Sequence, residues 1–72
     1  MSRVDTVFER LLSFGVTDAV GLPDSVTAPL MAHFDRHPAT RWVAVTREGE
    51  AFALAAGLWV GGRTPIVVIQ NT

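Results

Sequence analysis

Residues 42–69 read WVAVTREGEAFALAAGLWVGGRTPIVVI, and the class of fold can be inferred from this segment. Trp42–Val45 reads as a short apolar strand, and Ile66–Ile69 is a run of four β-branched apolar residues. Between them, residues 48–60 are rich in alanine and end at Gly61-Gly62, which predicts a helix. A strand, a helix and a second strand in this order predict two parallel strands joined by a crossover helix.

The same alternation continues toward the N-terminus. An apolar stripe at helical spacing comes first, formed by Val4, Val7, Phe8, Leu11 and Leu12. Gly15 is expected to stop that helix, and Thr17–Leu22 predicts a short strand buried on both faces. Thr27 is expected to N-cap a second helix that ends before Pro38. The whole pattern predicts an α/β fold, an open parallel sheet with helices on both faces.

Composition limits what this chain can be. Its 72 residues are 49% hydrophobic and 18% charged, with a net charge of −1 and no cysteine. These values exclude a disulfide framework and give no reason to expect binding to nucleic acid or to an anionic membrane. The N-terminus lacks the apolar core of a signal peptide, so we expect a cytoplasmic protein. So apolar a chain of this length is expected to be part of a larger polypeptide or assembly.

The predicted topology brings three polar segments to one edge of the sheet. Three segments lie at the carboxyl ends of the predicted strands: Gly21–Ser25, Thr46–Glu48 and Gln70–Thr72. In parallel α/β sheets, ligands bind at the edge formed by the carboxyl ends of the strands. The candidate site residues therefore come from these segments: Pro23, Asp24, Ser25, Glu48, Gln70 and Asn71.

The residues alone leave other interpretations open. A carboxylate such as Glu48 in the first turn of a helix is favoured by the helix dipole, whatever its function. Asp24 and Ser25 are ordinary turn and capping residues. His33 and His37 lie four residues apart, but no third ligand is evident, so we expect surface histidines and no metal site. No dinucleotide, P-loop or serine-hydrolase motif is present.

Several motifs together resemble one enzyme family. They are Glu48-Gly49-x-Ala51, the small residues Ala55-Ala56-Gly57, the Gly-Leu-Pro-Asp-Ser turn at 21–25, and the Pro65-initiated strand that leads into Gln70-Asn71. This combination is similar to thiamine-diphosphate-dependent 2-oxo-acid decarboxylases, and most similar to those that act on phosphonopyruvate and sulfopyruvate. The resemblance covers nearly the whole chain. It implies that residues 1–72 are the N-terminal part of a pyrimidine-binding domain.

The resemblance also implies roles for the candidate residues. Glu48 would hydrogen-bond the aminopyrimidine ring of thiamine diphosphate, shielded from water, and so activate the cofactor. Pro23 and Gln70 would lie near the cofactor. Asp24 and Ser25 would be catalytic residues that orient the 2-oxo acid or its proton transfers. Asn71 would be a further catalytic residue, in an active-site loop, and Thr72 stands where the family commonly has serine. Glu50 is expected to be a solvated helix charge.

The implied activity needs more than this chain. In the resembling family, Mg²⁺ and the diphosphate are held by a second domain or subunit, whose Gly-Asp-Gly motif is absent here. We therefore expect a lyase that works as a homo- or hetero-oligomer, and 72 residues that are inactive alone. Two alternatives remain: another thiamine enzyme, such as one like acetolactate synthase, and a non-catalytic α/β association module. The Gln70-Asn71 pair favours the decarboxylase over the first of these.

Overall fold

Helices and strands alternate along residues 3–69, which are the residues that the computed structural model describes. The elements are α1 (Arg3–Ser13), β1 (Asp18–Gly21), α2 (Ala28–Arg36), β2 (Arg41–Ala44), α3 (Glu48–Val60) and β3 (Pro65–Val68). No helix among these residues is long and apolar enough to cross a lipid bilayer. The predicted order of elements is confirmed.

The three strands form one parallel sheet with β1 in the middle, in the order β2-β1-β3. The register pairs Gly21, the last residue of β1, with Ala44 of β2 and with Val68 of β3. The carboxyl ends of all three strands therefore lie along one edge, which we call the carboxyl edge. This confirms the open parallel sheet that the sequence predicts.

The helices lie on both faces of the sheet. The connection from β1 to β2 and the connection from β2 to β3 run in opposite directions across it. Because such crossovers are right-handed, they place α2 and α3 on opposite faces. Within the described residues α1 packs on α2, whereas α3 packs on β1 and β3 and contacts neither of the other helices.

The main core lies between the sheet and the α1–α2 layer. Phe34 is fully buried there, and its ring meets that of Phe8 edge to face at a centroid distance of 5.0 Å. Ala19 and Val16 complete this cluster. Burying a side chain the size of phenylalanine contributes about 1.5–3 kcal/mol, so Phe34 anchors α2 on the sheet. On the other face, Ala51 of α3 is fully buried.

Local details differ from the sequence predictions. The strands begin and end within about one residue of the predicted bounds, and β2 starts at Arg41 rather than Trp42. Gly15 has φ 83° after α1, as expected of a helix stop. The prediction that Thr27 caps α2 through its side chain is wrong, because its hydroxyl donates to Met31 Sδ instead. Strand β3 is half-buried, since it lies at the edge of the described sheet.

A buried carboxylate fastens the opposite, amino-terminal edge of the sheet. Asp18 has no solvent exposure and accepts hydrogen bonds from Arg41 Nε at 2.5 Å and from Arg63 Nε at 2.7 Å. The Thr17 hydroxyl donates a third bond at 2.6 Å. Burial raises the pKa of Asp18, but the hydrogen bonds from Arg41, Thr17 and Arg63 outweigh it and lower the pKa to about 2. One carboxylate thus joins the starts of β1 and β2 and the segment before β3.

Candidate active site

The carboxyl edge brings two of the three predicted polar segments together. The Val45 amide donates to the Gly21 carbonyl at 2.9 Å, so the chain after β2 leaves the sheet beside the end of β1. The segment after β1 then leads to α2 on one face, and the segment after β2 leads to α3 on the other. Where neighbouring loops diverge to opposite faces in this way, parallel sheets bind ligands in a crevice between the loops, so the candidate site is the crevice expected at the carboxyl edge.

Glu48 is the first residue of α3, where its side chain is exposed. Within residues 3–69 its carboxylate has no hydrogen bond and no ion pair. The helix dipole favours a negative charge at this position. The shielding from water that we expected for Glu48 is not provided by the described residues. A carboxylate without a protein partner is nevertheless free to accept or share a proton with a ligand in the crevice.

Asp24 has a structural task in the loop after β1. Its Oδ1 accepts hydrogen bonds from the amide of Val26 at 2.7 Å and from the amide of Thr27 at 2.9 Å. Its carbonyl accepts from the Ala28 amide at 3.1 Å. Asp24 therefore caps the turn that leads into α2, the task we had predicted for Thr27. This finding supports the capping interpretation of Asp24 and leaves its second carboxylate oxygen for any further role.

Pro23 and Ser25 flank Asp24, and both are exposed. Within residues 3–69, the Ser25 hydroxyl makes no hydrogen bond. It can therefore donate to or accept from a ligand without first breaking a protein contact. Gln70 and Asn71, the candidates from the third segment, lie outside the described residues.

Glu50 is more than a solvated charge. It is exposed, as predicted, but its Oε1 accepts hydrogen bonds from the Thr46 amide at 3.1 Å and the Thr46 hydroxyl at 2.6 Å. The hydrogen bond from the Thr46 side chain and that from its amide lower the pKa of Glu50. The pattern of a hydroxyl residue just before a helix and a glutamate in its first turn is typical of a helix start, and could have revealed this contact.

The sequence analysis also missed Asp18. An aspartate inside a strand predicted to be buried on both faces is a signal, because a buried charge requires partners. Arg41 and Arg63, near the starts of the next two strands, supply them. Asp18 lies at the amino-terminal edge and takes no part in the candidate site.

The histidines pack between α1 and α2. His33 Nε2 lies 2.6 Å from Asp5 Oδ1, and its ring stacks on Phe8 at 5.0 Å. His37 meets the same phenylalanine at 5.7 Å. Both histidines are half-buried: they keep part of their surface exposed, as expected of surface residues, and pack with the rest against Phe8. They line an open groove of about 400 Å³ on the outer side of the two helices, away from the carboxyl edge.

Metal ligands do not cluster in this part of the chain. Among residues 3–69, no group of three or more histidine, aspartate or glutamate side chains could hold an ion. Glu48 presents a carboxylate without a partner in this range at the carboxyl edge, and such a group is suited to pair with a ring nitrogen of a heterocycle. The fold and this edge define an α/β ligand-binding domain.

Comparison with known proteins identifies the family. Residues 1–72 match the family described as "Thiamine pyrophosphate enzyme, N-terminal TPP binding domain". The chain therefore belongs to this family. No solved structure matches it significantly.

Three curated relatives are similar to the chain. The phosphonopyruvate decarboxylase of Streptomyces viridochromogenes is 45% identical over 62 residues, which are 86% of this chain and 16% of that protein. The phosphonopyruvate decarboxylase of Streptomyces hygroscopicus is 44% identical over 72 residues, 100% of this chain and 18% of that protein. Sulfopyruvate decarboxylase subunit alpha of Methanothermobacter thermautotrophicus is 32% identical over 68 residues, which are 94% of this chain and 41% of that protein. The chain spans less than half the length of each.

Proposed function

We propose that the protein to which this chain contributes is a thiamine-diphosphate-dependent decarboxylase of a 2-oxo acid that carries a second anionic group. Phosphonopyruvate and sulfopyruvate are the two candidate substrates, as the names of the relatives suggest. The observation that carries the proposal is the exposed, unpaired carboxylate of Glu48 at the carboxyl edge of a domain of this family.

Glu48 would act on the pyrimidine ring of the cofactor. The bound cofactor supplies an electron sink at the 2-oxo carbon, which accepts the electrons left by departing CO₂. Glu48 would share a proton with a ring nitrogen, and so favour the ring form whose amino group can act as a base. In that form the ring nitrogen carries the proton, and the Glu48 carboxylate, in the first turn of α3, would accept a hydrogen bond from it.

The loop after β1 would face the substrate. The free hydroxyl of Ser25 is suited to orient the 2-oxo acid by a hydrogen bond. Asp24 would hold this loop in place through its two amide contacts. Any direct part of Asp24 in proton transfer would use Oδ2. For Pro23, Gln70 and Asn71, the proposed contacts with cofactor and substrate are those that the family resemblance implies.

A second domain or subunit would complete the site. It would hold the diphosphate and Mg²⁺, as the family resemblance implies. It would also cover Glu48 and exclude water, which strengthens electrostatic interactions in the site. The surface for this partner is the outside of α3, where large apolar side chains are exposed: Phe52, Leu54, Trp59 and Val60. A helix that is apolar on all sides is typical of one buried in a larger body.

This arrangement implies an oligomer or a multidomain chain, and inactivity of the 72 residues alone. One relative bears the name of a subunit, which is in keeping with that expectation. The cytoplasmic location stays a prediction.

The test compares Glu48→Gln with Glu9→Gln in the complete protein. Glu9 is another exposed glutamate, on α1 and outside the carboxyl edge. Decarboxylation of phosphonopyruvate, sulfopyruvate and pyruvate is measured at saturating thiamine diphosphate and Mg²⁺, and cofactor binding is followed by calorimetry. Glu48→Gln should lower kcat by about 10²–10⁴-fold, the usual contribution of a positioned proton-transfer group. Glu9→Gln should have no effect.

Three outcomes would contradict parts of the proposal. Full activity of Glu48→Gln would remove Glu48 from the mechanism. Preference for pyruvate over both anionic substrates would favour another class of thiamine enzyme. Absence of cofactor binding in the complete protein would favour the association module.

A further inference from the structure

The start of α3 is held by Glu50. Its Oε1 accepts two hydrogen bonds from Thr46, one from the amide and one from the hydroxyl, at 3.1 and 2.6 Å. Arg47, the N-cap residue, provides no side-chain capping bond. Glu50 is therefore the side chain that satisfies the backbone amide ahead of the helix, where amides lack intrahelical partners.

Thr46, the hydrogen-bond partner of Glu50, comes directly after a residue that is hydrogen-bonded to the sheet. Thr46 follows Val45, whose amide bonds the carbonyl of Gly21 at 2.9 Å. The Thr46–Glu50 bonds thus close a short loop of backbone against the carboxyl edge. Glu48 lies in the middle of that loop, two residues from each closing residue.

Gly49 lies between Glu48 and Glu50, and its backbone freedom makes the Thr46–Glu50 hydrogen bonds more important for the first turn of α3. A Cβ on Gly49 would meet no atom within 4 Å, so packing does not require glycine there. Glycine gives the backbone beside Glu48 more freedom and is a weaker helix former than alanine. The first turn of α3 is also held by the Ala51 amide, which donates to the Arg47 carbonyl at 3.2 Å, and by the burial of Ala51; the Thr46–Glu50 contact adds a side-chain bond on the other side of Glu48.

We propose that Glu50 is a positioning residue for Glu48: by bonding Thr46 it fixes the turn that carries Glu48 at the carboxyl edge. This inference rests on the proposed role of Glu48. The two carboxylates have different tasks. Glu50 is engaged by the protein, whereas Glu48 has no partner within residues 3–69 and is available to a ligand.

The experiment uses the complete enzyme and four variants. Glu50→Ala removes the acceptor, and Glu50→Gln keeps an oxygen that can accept both bonds. Val16→Ala shortens a buried side chain that belongs to the core cluster beneath α1, and serves as a stability control. Glu48→Gln reports on the proposed function itself. All assays are run well below the unfolding temperature of every variant.

Two readouts separate positioning from general stability. The first is hydrogen exchange of the amides of residues 47–51 in the cofactor-free protein. The second is the rate at which bound thiamine diphosphate exchanges its thiazolium proton for deuterium at saturating cofactor. Glu50→Ala should speed the amide exchange and slow the cofactor exchange by on the order of 10- to 100-fold, since small misplacements of a catalytic group have effects of this size. Glu50→Gln should stay within about threefold of wild type, because its amide oxygen replaces the acceptor.

The outcomes are distinct. Normal cofactor exchange in Glu50→Ala, with Glu48→Gln impaired, would overturn the inference and leave the proposed function standing. Normal exchange in Glu48→Gln would overturn both. Equal loss in Glu50→Ala and Val16→Ala would show general destabilisation, and equal loss in Glu50→Ala and Glu50→Gln would show that charge, not position, matters. Either result would contradict the positioning role.

Discussion

Gly21 and Val68 approach so closely at the carboxyl edge that a Cβ on Gly21 would lie 2.0 Å from the carbonyl oxygen of Val68. The nearby ring of Trp42 would be 3.3 Å away. No side-chain movement relieves a clash with backbone, so the end of β1 would have to separate from β3. We expect Gly21→Ala to lower the free energy of unfolding by about 3 kcal/mol or more. Urea denaturation of the complete protein measures this.

Gly57→Ala is the matched control. It is a helical glycine where an added Cβ would meet nothing within 4 Å among residues 3–69. Alanine should stabilise α3 by roughly 0.5–1 kcal/mol. Equal behaviour of the two variants would contradict the close approach of Gly21 and Val68.

Asp18→Asn tests the fastening of the amino-terminal edge. The pKa of Asp18 is lowered from 3.8 to about 2 in the folded protein. A lowered folded-state pKa contributes stability that is present above pH 3.8 and lost as the pH falls toward 2. The contribution is on the order of 2 kcal/mol. The stability difference between wild type and Asp18→Asn, measured by urea denaturation, should therefore be largest near neutral pH and shrink between pH 4 and 2.

Asp35→Asn is the control for this experiment. Asp35 is an exposed carboxylate on α2, and it has no hydrogen bond or ion pair within residues 3–69. Its replacement should change stability by less than about 0.5 kcal/mol at any pH. A pH-independent difference for Asp18→Asn would mean that shape, and not charge, makes Asp18 necessary.

Asp24, and not Thr27, caps the start of α2 with its side chain. Asp24→Ala removes the acceptor for two backbone amides and should cost about 1 kcal/mol. Thr27→Ala should cost less than about 0.5 kcal/mol, because its hydroxyl contacts only Met31 Sδ at 3.4 Å. Thermal unfolding of the two variants decides between them, and a larger loss for Thr27→Ala would refute the assignment.

Asp24→Asn separates capping from catalysis, because asparagine caps as well as aspartate but carries no charge. If Asp24 only caps, both stability and decarboxylation should stay near wild type. A loss of kcat at unchanged stability would give Asp24 a direct role in proton transfer.

The outside of α3 should make the isolated 72 residues associate. Trp59 is 66% exposed and Phe52 is 56% exposed. Exposed apolar patches of this kind drive association. We expect sedimentation to show species larger than a monomer, and Trp59→Gln with Phe52→Gln to shift them toward the monomer. Phe14→Gln, at a 73% exposed site outside α3, should not. A wild-type monomer at all concentrations would argue against an interface on α3.

Local sequence patterns were sufficient to predict the helices and strands and the edge of the sheet at which Glu48 lies. Helix α3 has the predicted bounds, Glu48–Val60, because its alanines and the following glycine pair are strong local signals. Contacts of individual polar groups were harder to predict. Thr27 and Asp24 are both good capping residues by type, and only the path of the backbone shows whose oxygen meets the free amides.

The order of helices and strands, the parallel α/β class and the position of Glu48 after the second strand could be predicted from local patterns, because these features depend on periodicity and on the handedness of crossovers. Which side chains meet across long separations could be seen only in the folded protein. Asp18 joins Arg41 and Arg63, which are 23 and 45 residues away, and Gly21 lies against Val68. Such pairs depend on the order of the strands in the sheet and on the register between them. No local pattern of residues fixes either the order or the register.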